Sequence, residues 1–174
     1  MINRVKQFWF ALFSRMRPDD IKFVQEYLDE KERILFLQMD RPTQTHCVRV
    51  AKTCLFLLPA NDHSVNQRLL VKAALLHDIG KRANMIRTID RVLIVLLGTL
   101  TAKKPADLLK QINQRGRFAQ ALSAHLEHPQ RGARLAQEFN LDPAIIYLIK
   151  NHHGEADAIA PPELSILKKA DELN

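Results

Sequence analysis

The sequence predicts an all-α protein, a compact multi-helix bundle, and three observations carry that prediction. Apolar residues recur at the three- and four-residue spacing of a helix along most of the chain. No convincing run alternates apolar and polar residues as a half-buried strand would, and only five glycines interrupt the 174 residues. That length, with 47% apolar residues, suffices to bury one real core and is too short for two ordinary domains.

Each element has a local reason. Ile2, Val5, Phe8, Trp9, Leu12, Phe13 and Met16 form the stripe of a first helix, which Pro18 stops, and a second is expected over about 19–38. The Arg41-Pro42-Thr43 step breaks the chain before a third helix over 43–58, and 59–64 is a loop. A fourth helix runs over 65–78 and ends near Gly80, which suits a left-handed cap. Helices over 87–100 and 106–126 are separated by Lys103-Lys104-Pro105. Pro129 and Pro143 each suit the first turn of a helix, with His128 and Asp142 directly before them, and Gly154 closes the later one after His152-His153. Pro161-Pro162 is the last linker and 163–173 the final helix; no repeat or low-complexity segment is present.

Charge is distributed unevenly. The net charge is +7, and the stretch 81–117 holds nine bases against two acids, while residues 1–17 hold four bases and no acid. A basic stretch just after His77-Asp78 would draw an anionic substrate, and a solvated helical face is an equally good reading of the charge alone. Few aromatic residues interleave with these bases, so there is no stacking platform for a single-stranded nucleic acid, and nucleic-acid binding is not expected. Cys47 and Cys54 are the only cysteines, seven apart on one predicted helix. They read as core packing rather than a disulfide framework, which fits a reducing compartment. No signal peptide is evident, and the longest apolar run, Val92 to Leu97, is too short to cross a bilayer. The expected location is cytoplasmic.

The chemistry lies in the histidines. Of seven, His46 falls in the third helix, His77 at the end of the fourth, His125 and His128 around a helix junction, and His152 and His153 at another helix end; His63 sits in a polar loop. His77 and Asp78 place an imidazole beside a carboxylate at the end of an apolar helix, a pairing too common to mark a site alone. Asp171 lies on the last helix beside the apolar stripe of Leu164, Leu167 and Ala170. A carboxylate facing a core needs a partner, and a metal would be one. Imidazole and carboxylate without thiolate suit iron, manganese, zinc, cobalt or magnesium, and the sequence does not choose among them.

His46, His77-Asp78 and Asp171 together resemble the H…HD…D pattern of the HD-domain metal-dependent phosphohydrolases. Leu76-His77-Asp78-Ile79-Gly80-Lys81 resembles the HDIG variant of that pattern. His128-Pro129-Gln130-Arg131-Gly132-Ala133 and His152-His153-Gly154 resemble segments of the subfamilies that hold two metals. The resemblance covers about 40–174, and several motifs in order are more specific than any one of them. It implies an HD domain over 40–174 with the metal site between its helices and an inserted basic and apolar segment at about 82–120. Residues 1–39 would then be amphipathic helices packed on that core.

The resemblance implies two divalent metals, one held by His46, His77, Asp78 and Asp171, the other by His128, His152 and His153, with Asp78 shared. A metal-bound hydroxide would attack phosphorus of a phosphate ester, a nucleotide-like small molecule or a related one. Lys81 and Arg131 are candidate contacts for substrate phosphate, Lys81 also for catalysis, and each also reads as a solvated surface base. For His125, three residues from His128, a polar neighbour of the site is the expectation. The run 154–162 lacks the Gly-Tyr-Pro signature of the subfamily that cleaves cyclic di-guanosine monophosphate, which argues against that substrate. Hydrolases of diadenosine tetraphosphate have a similar layout, and that substrate class stays open. So do a non-catalytic, ligand-sensing HD module and an HD-type di-iron oxygenase. The stripe in residues 1–17 reads as core packing, or as a contact with an anionic membrane surface or a partner. The oligomeric state is not legible.

Overall fold

A computed structural model describes residues 16–58, 64–81, 117–153 and 159–174. Seven helices lie among the described residues: α1 Pro18–Tyr27, α2 Glu30–Leu37, α3 Arg41–Leu57, α4 Gln67–Leu76, α5 Arg117–Glu138, α6 Pro143–Asn151 and α7 Pro162–Leu173. The all-α fold class holds. The stripe of residues 2–15, the segments 87–100 and 106–116, His63, Gly154 and the side chain of His125 lie outside the described part.

Polar side chains set where the helices begin. Asp29, Asp40, Asn66 and Asp142 each accept a hydrogen bond from a backbone N–H of the helix that follows, at 2.8 to 3.1 Å. The cap at Asp29 corrects one expectation, because the helix expected over 19–38 is two helices. Asp29 accepts from the Glu32 N–H while the Glu32 carboxylate accepts from the Asp29 N–H at 2.8 Å, and this reciprocal pair starts a new helix once Leu28 has turned into the core.

α4 is the centre of the bundle. Leu70, Val71, Ala73, Ala74, Leu75 and Leu76 are all fully buried, as befits a helix that is apolar on most sides. It packs against α3, α6 and α7, and against α1 and α2 from the N-terminal side, while α5 packs on α6 and α7 on α3. Burying each leucine of α4 contributes roughly 2–3 kcal/mol against solvent exposure. One core joins Val24, Leu28, Leu35 and Phe36 to α3 and α4, and Met16 packs against it. Cys47 and Cys54 are buried free thiols, as expected of core packing.

Two further expectations are corrected by packing. Pro129 does not open a helix: α5 runs unbroken from Arg117 to Glu138 with Pro129 inside it. A proline there removes one rung of the ladder, but His128, Ala133 and Ala136 on its flanks are buried, and that packing holds the helix through the defect. Nor is Gly80 a left-handed cap, since no described glycine has a positive φ. A β-carbon at Gly80 would lie 2.0 Å from the His128 carbonyl oxygen and 2.8 Å from the Gly132 nitrogen. Glycine is required because two backbones meet there.

A smaller effect tests the start of the bundle. Asp20 accepts from the Arg17 N–H at 2.8 Å and pairs with Lys52 of α3. Its partial burial raises its pKa, but the bonds from Lys52 and Arg17 outweigh this and hold it below 3.8. A lowered carboxyl stabilises the fold above its unfolded value and loses that contribution as pH falls through the folded value. Asp20→Asn should therefore cost about 0.5–1 kcal/mol at pH 7, after allowance for solvent screening, and nothing well below pH 3.8. Urea titrations at the two pH values check this, and an equal loss at both would contradict it.

Candidate metal centre

The centre forms where α4 ends among α3, α5, α6 and α7. His77 closes α4 with its backbone still helical, at φ −57° and ψ −29°. Its ring folds back so that Nδ1 lies 2.8 Å from the Ala74 carbonyl oxygen, one of those a helix C-terminus leaves without a backbone donor. A carbonyl only accepts, so Nδ1 carries a proton and Nε2 faces inward. His152 repeats the device at the end of α6, with Nδ1 2.7 Å from the Ile149 carbonyl oxygen. Sequence reasoning missed both carbonyls; the signal was a histidine placed directly after an apolar helix.

Asp78 lies on the turn after His77, 2% exposed, and its two oxygens face different groups. Oδ2 is 3.9 Å from His46 Nε2 and 3.7 Å from His77 Nε2. Oδ1 is 3.1 Å from His128 Nε2 and 3.9 Å from His152 Nε2. The close approach of Gly80 and α5 sets the first of the Oδ1 distances. Asp171 reaches in from α7, its Oδ1 2.9 Å from His46 Nε2 and 3.6 Å from His77 Nε2. On the other side, His128 Nε2 lies 3.1 Å from His152 Nε2. The His153 ring is 5.0 Å from that of His128 and 4.2 Å from that of His152, centroid to centroid.

All seven residues singled out in the sequence as metal ligands are thus brought into one cluster. His128, His152 and His153 form one group whose donor atoms lie within 4.8 Å of one another; His46, His77 and Asp78 form a second, and His77, His152 and Asp171 a third. Lys81 joins them through Asp78, its Nζ 2.8 Å from each carboxylate oxygen. Arg131 is held along α5 by Glu127 at 2.8 Å.

Electrostatics fit a cation. Burial alone would raise the Asp78 carboxyl, but Lys81 and His77 outweigh it and hold it well below the carboxylate range; Asp171 is likewise lowered against its burial by His46 and His77. Burial lowers His46 and, with the neighbouring imidazoles, takes His152 well down and His153 to about 4. These three imidazoles are therefore neutral near pH 7 and have lone pairs to give. His77 is the exception: burial pushes it down, but the charge of Asp78 with the Cys47 and Asp171 contacts raises it well above 6.5. Burial also raises the Cys47 thiol, so it does not supply a thiolate.

The residues fit a metal on one further observation. The buried Nε2 of His77 has no hydrogen-bond partner among the described residues, a costly state for a polar atom unless something else binds there. Donor atoms held about 3 Å apart are also what two ligands on one ion with bonds of roughly 2.1 Å require.

A helical bundle that turns two carboxylates and five imidazoles toward one cluster, four of the seven buried, is of the class that binds divalent metal through nitrogen and oxygen. The model of the HD domain family matches residues 43–174, and the chain belongs to that family. The family binds divalent metals, and most of its members are metal-dependent phosphohydrolases. No match was found among curated proteins or among solved structures. No helix of the described residues is long and apolar enough to cross a membrane.

Proposed function

We propose that this protein is a metal-dependent phosphohydrolase that cleaves a small phosphate ester, nucleotide-like in kind, and works with two divalent ions. The observation that carries the reading is the division of Asp78, whose Oδ2 faces His46 and His77 while its Oδ1 faces His128 and His152. One ion would be held by His46, His77, Asp78 and Asp171, the other by His128, His152 and His153, with Asp78 shared. Bound divalent ions supply an acidified water and stabilise charge on a phosphoryl oxygen.

The chain's own groups do the rest. The carbonyls of Ala74 and Ile149 fix the His77 and His152 rings with Nε2 inward, so the donors need no reorganisation. Lys81 neutralises Asp78 at 2.8 Å; where cations take that role, its ammonium can turn to a phosphate oxygen of the substrate. Arg131 is a second anion contact, released from Glu127. The buried faces around His77, His128 and His152 exclude bulk water, which strengthens each charge interaction. The unpaired thiols of Cys47 and Cys54 agree with a reducing cytoplasm.

The test has two parts. Metal analysis of the purified chain should find up to two divalent ions per molecule, and phosphate release from a panel of mononucleotides, dinucleotides and cyclic nucleotides should be metal-dependent. A metal-loaded chain that hydrolyses none of them would sink the reading in favour of ligand sensing, and oxygen consumption with an iron-loaded chain would favour an oxygenase.

A further inference from the structure

Arg49 stands apart from the other bases of the bundle. Its Nε and Nη2 are buried and have no hydrogen-bond partner among the described residues, whereas Arg33 donates to the Leu28 carbonyl at 3.1 Å, Arg68 to the Glu26 carbonyl at 3.2 Å and Arg131 to Glu127 at 2.8 Å. Burial lowers the Arg49 guanidinium and no carboxylate offsets it. Two buried donors on a cation without an acceptor destabilise a fold, so an arginine with a purely structural role would be paired.

Its position suggests what the acceptor is. Arg49 follows His46 by three residues on α3, and side chains so spaced are neighbours on a helix surface, their β-carbons roughly 5–6 Å apart. In the group of His46, His77, Asp78 and Asp171, His46 and Asp171 are the more open members, with side chains 21% and 15% exposed against 1% for His77 and 2% for Asp78, while His153 is exposed in the other group. Arg49 therefore stands one helical turn from a ligand candidate. The fork of a guanidinium matches a phosphate, two N–H groups to two oxygens.

We infer that Arg49 receives a second, non-reacting anionic group of the substrate, a phosphate set about one helix turn along α3 from the group that is cleaved. The inference rests on the phosphohydrolase reading and narrows it to substrates with two anionic groups, as in a nucleoside polyphosphate or a phosphorylated acid, over simple monoesters. Lys81 and the cluster attend to the reacting phosphate; Arg49 supplies binding and orientation.

Pyrophosphate and orthophosphate serve as probes, titrated calorimetrically into the full metal-loaded chain. The wild type should bind pyrophosphate at least about tenfold tighter than orthophosphate. Arg49→Met should weaken pyrophosphate by roughly 10- to 100-fold, the span expected for hydrogen bonds to a charged group, and change orthophosphate by less than about twofold. Arg49→Lys, which keeps the charge and loses the fork, should fall between them. Without ligand, Arg49→Met should melt no lower than the wild type, because it removes an unsatisfied buried charge. The inference is overturned if Arg49→Met binds pyrophosphate as the wild type does, if the wild type shows no preference for pyrophosphate, or if both variants melt well below it. Metal-dependent phosphate release by the wild type, measured separately, judges the phosphohydrolase reading. A chain that hydrolyses while its pyrophosphate binding ignores Arg49 overturns this inference alone.

Discussion

Asp78→Asn is expected to abolish metal-dependent phosphate release and to lower the metal content of the purified protein while leaving the chain folded. Asparagine keeps the shape and one acceptor but removes the charge that faces both imidazole groups. The group it replaces is ionised throughout the working pH range, because Lys81 and His77 hold its pKa well down against burial. Loss of a contact that merely supports a metal ligand costs about 10–100-fold in affinity or activity, so loss of the shared carboxylate should cost at least 100-fold. Stability should change less, since Lys81 keeps some solvent access and is not stranded. Phosphate release, metal analysis and thermal melting are the three measurements. Hydrolysis retained by a folded Asp78→Asn protein would end the proposal that this carboxylate serves both ions.

The largest effect on stability is expected at Gly80. Alanine there would place its β-carbon 2.0 Å from the His128 carbonyl oxygen, where real β-carbons essentially never come within 3.0 Å of another heavy atom. The neighbour is backbone inside α5 and cannot swing aside, so the turn and the helix must separate. Overpacking in a well-packed core costs typically 1–3 kcal/mol, and a contact with rigid backbone belongs at the upper end, about 3 kcal/mol. For a chain of this size that is a fall in Tm of roughly 6–12 °C. The displacement also reaches the site, because Asp78 is two residues away and its Oδ1 lies 3.1 Å from His128 Nε2. Metal affinity should therefore fall with stability. Gly132→Ala is the milder comparison: its closest contacts would be Ile149 Cγ2 at 3.0 Å and the Gly80 nitrogen at 3.3 Å, so less must shift and the loss should be smaller. A Gly80→Ala protein that melts within about 2 °C of the wild type would refute the close-approach account of this glycine.

Much of the fold was legible because it rests on local interactions. The apolar residues of 65–78 announced a buried helix, and Asp142 caps directly before Pro143 as expected, whereas the helices that Asp40 and Asn66 cap start at Arg41 and Gln67, against expected starts at 43 and 65. The errors also have physical causes. A cap at Asp29 that splits one long periodic stretch leaves the apolar spacing almost unchanged. Pro129 carries a strong signal for a helix start that the packing of α5 overrides, and Gly80 reads as a chain terminus when its role is to admit another backbone. The candidate ligands were named from motifs and a family resemblance, and the structure brings them together. Arg49 passed unremarked because nothing in the local sequence marks a base that has no partner.

The sequence by itself determined the helical class, the start of α6 at Asp142-Pro143, the set of histidines and aspartates, and the family to which their order belongs, since these depend on residue type and on spacings of a few positions. Only the tertiary structure decided that His46 meets Asp171 across 125 positions at 2.9 Å, that the two oxygens of Asp78 face different imidazoles, and that two donors of Arg49 are buried without an acceptor among the described residues. The reason is that hydrogen bonds within a helix are set by neighbours along the chain. The distance between two helices is set by the side chains packed between them and, at Gly80, by the lack of one.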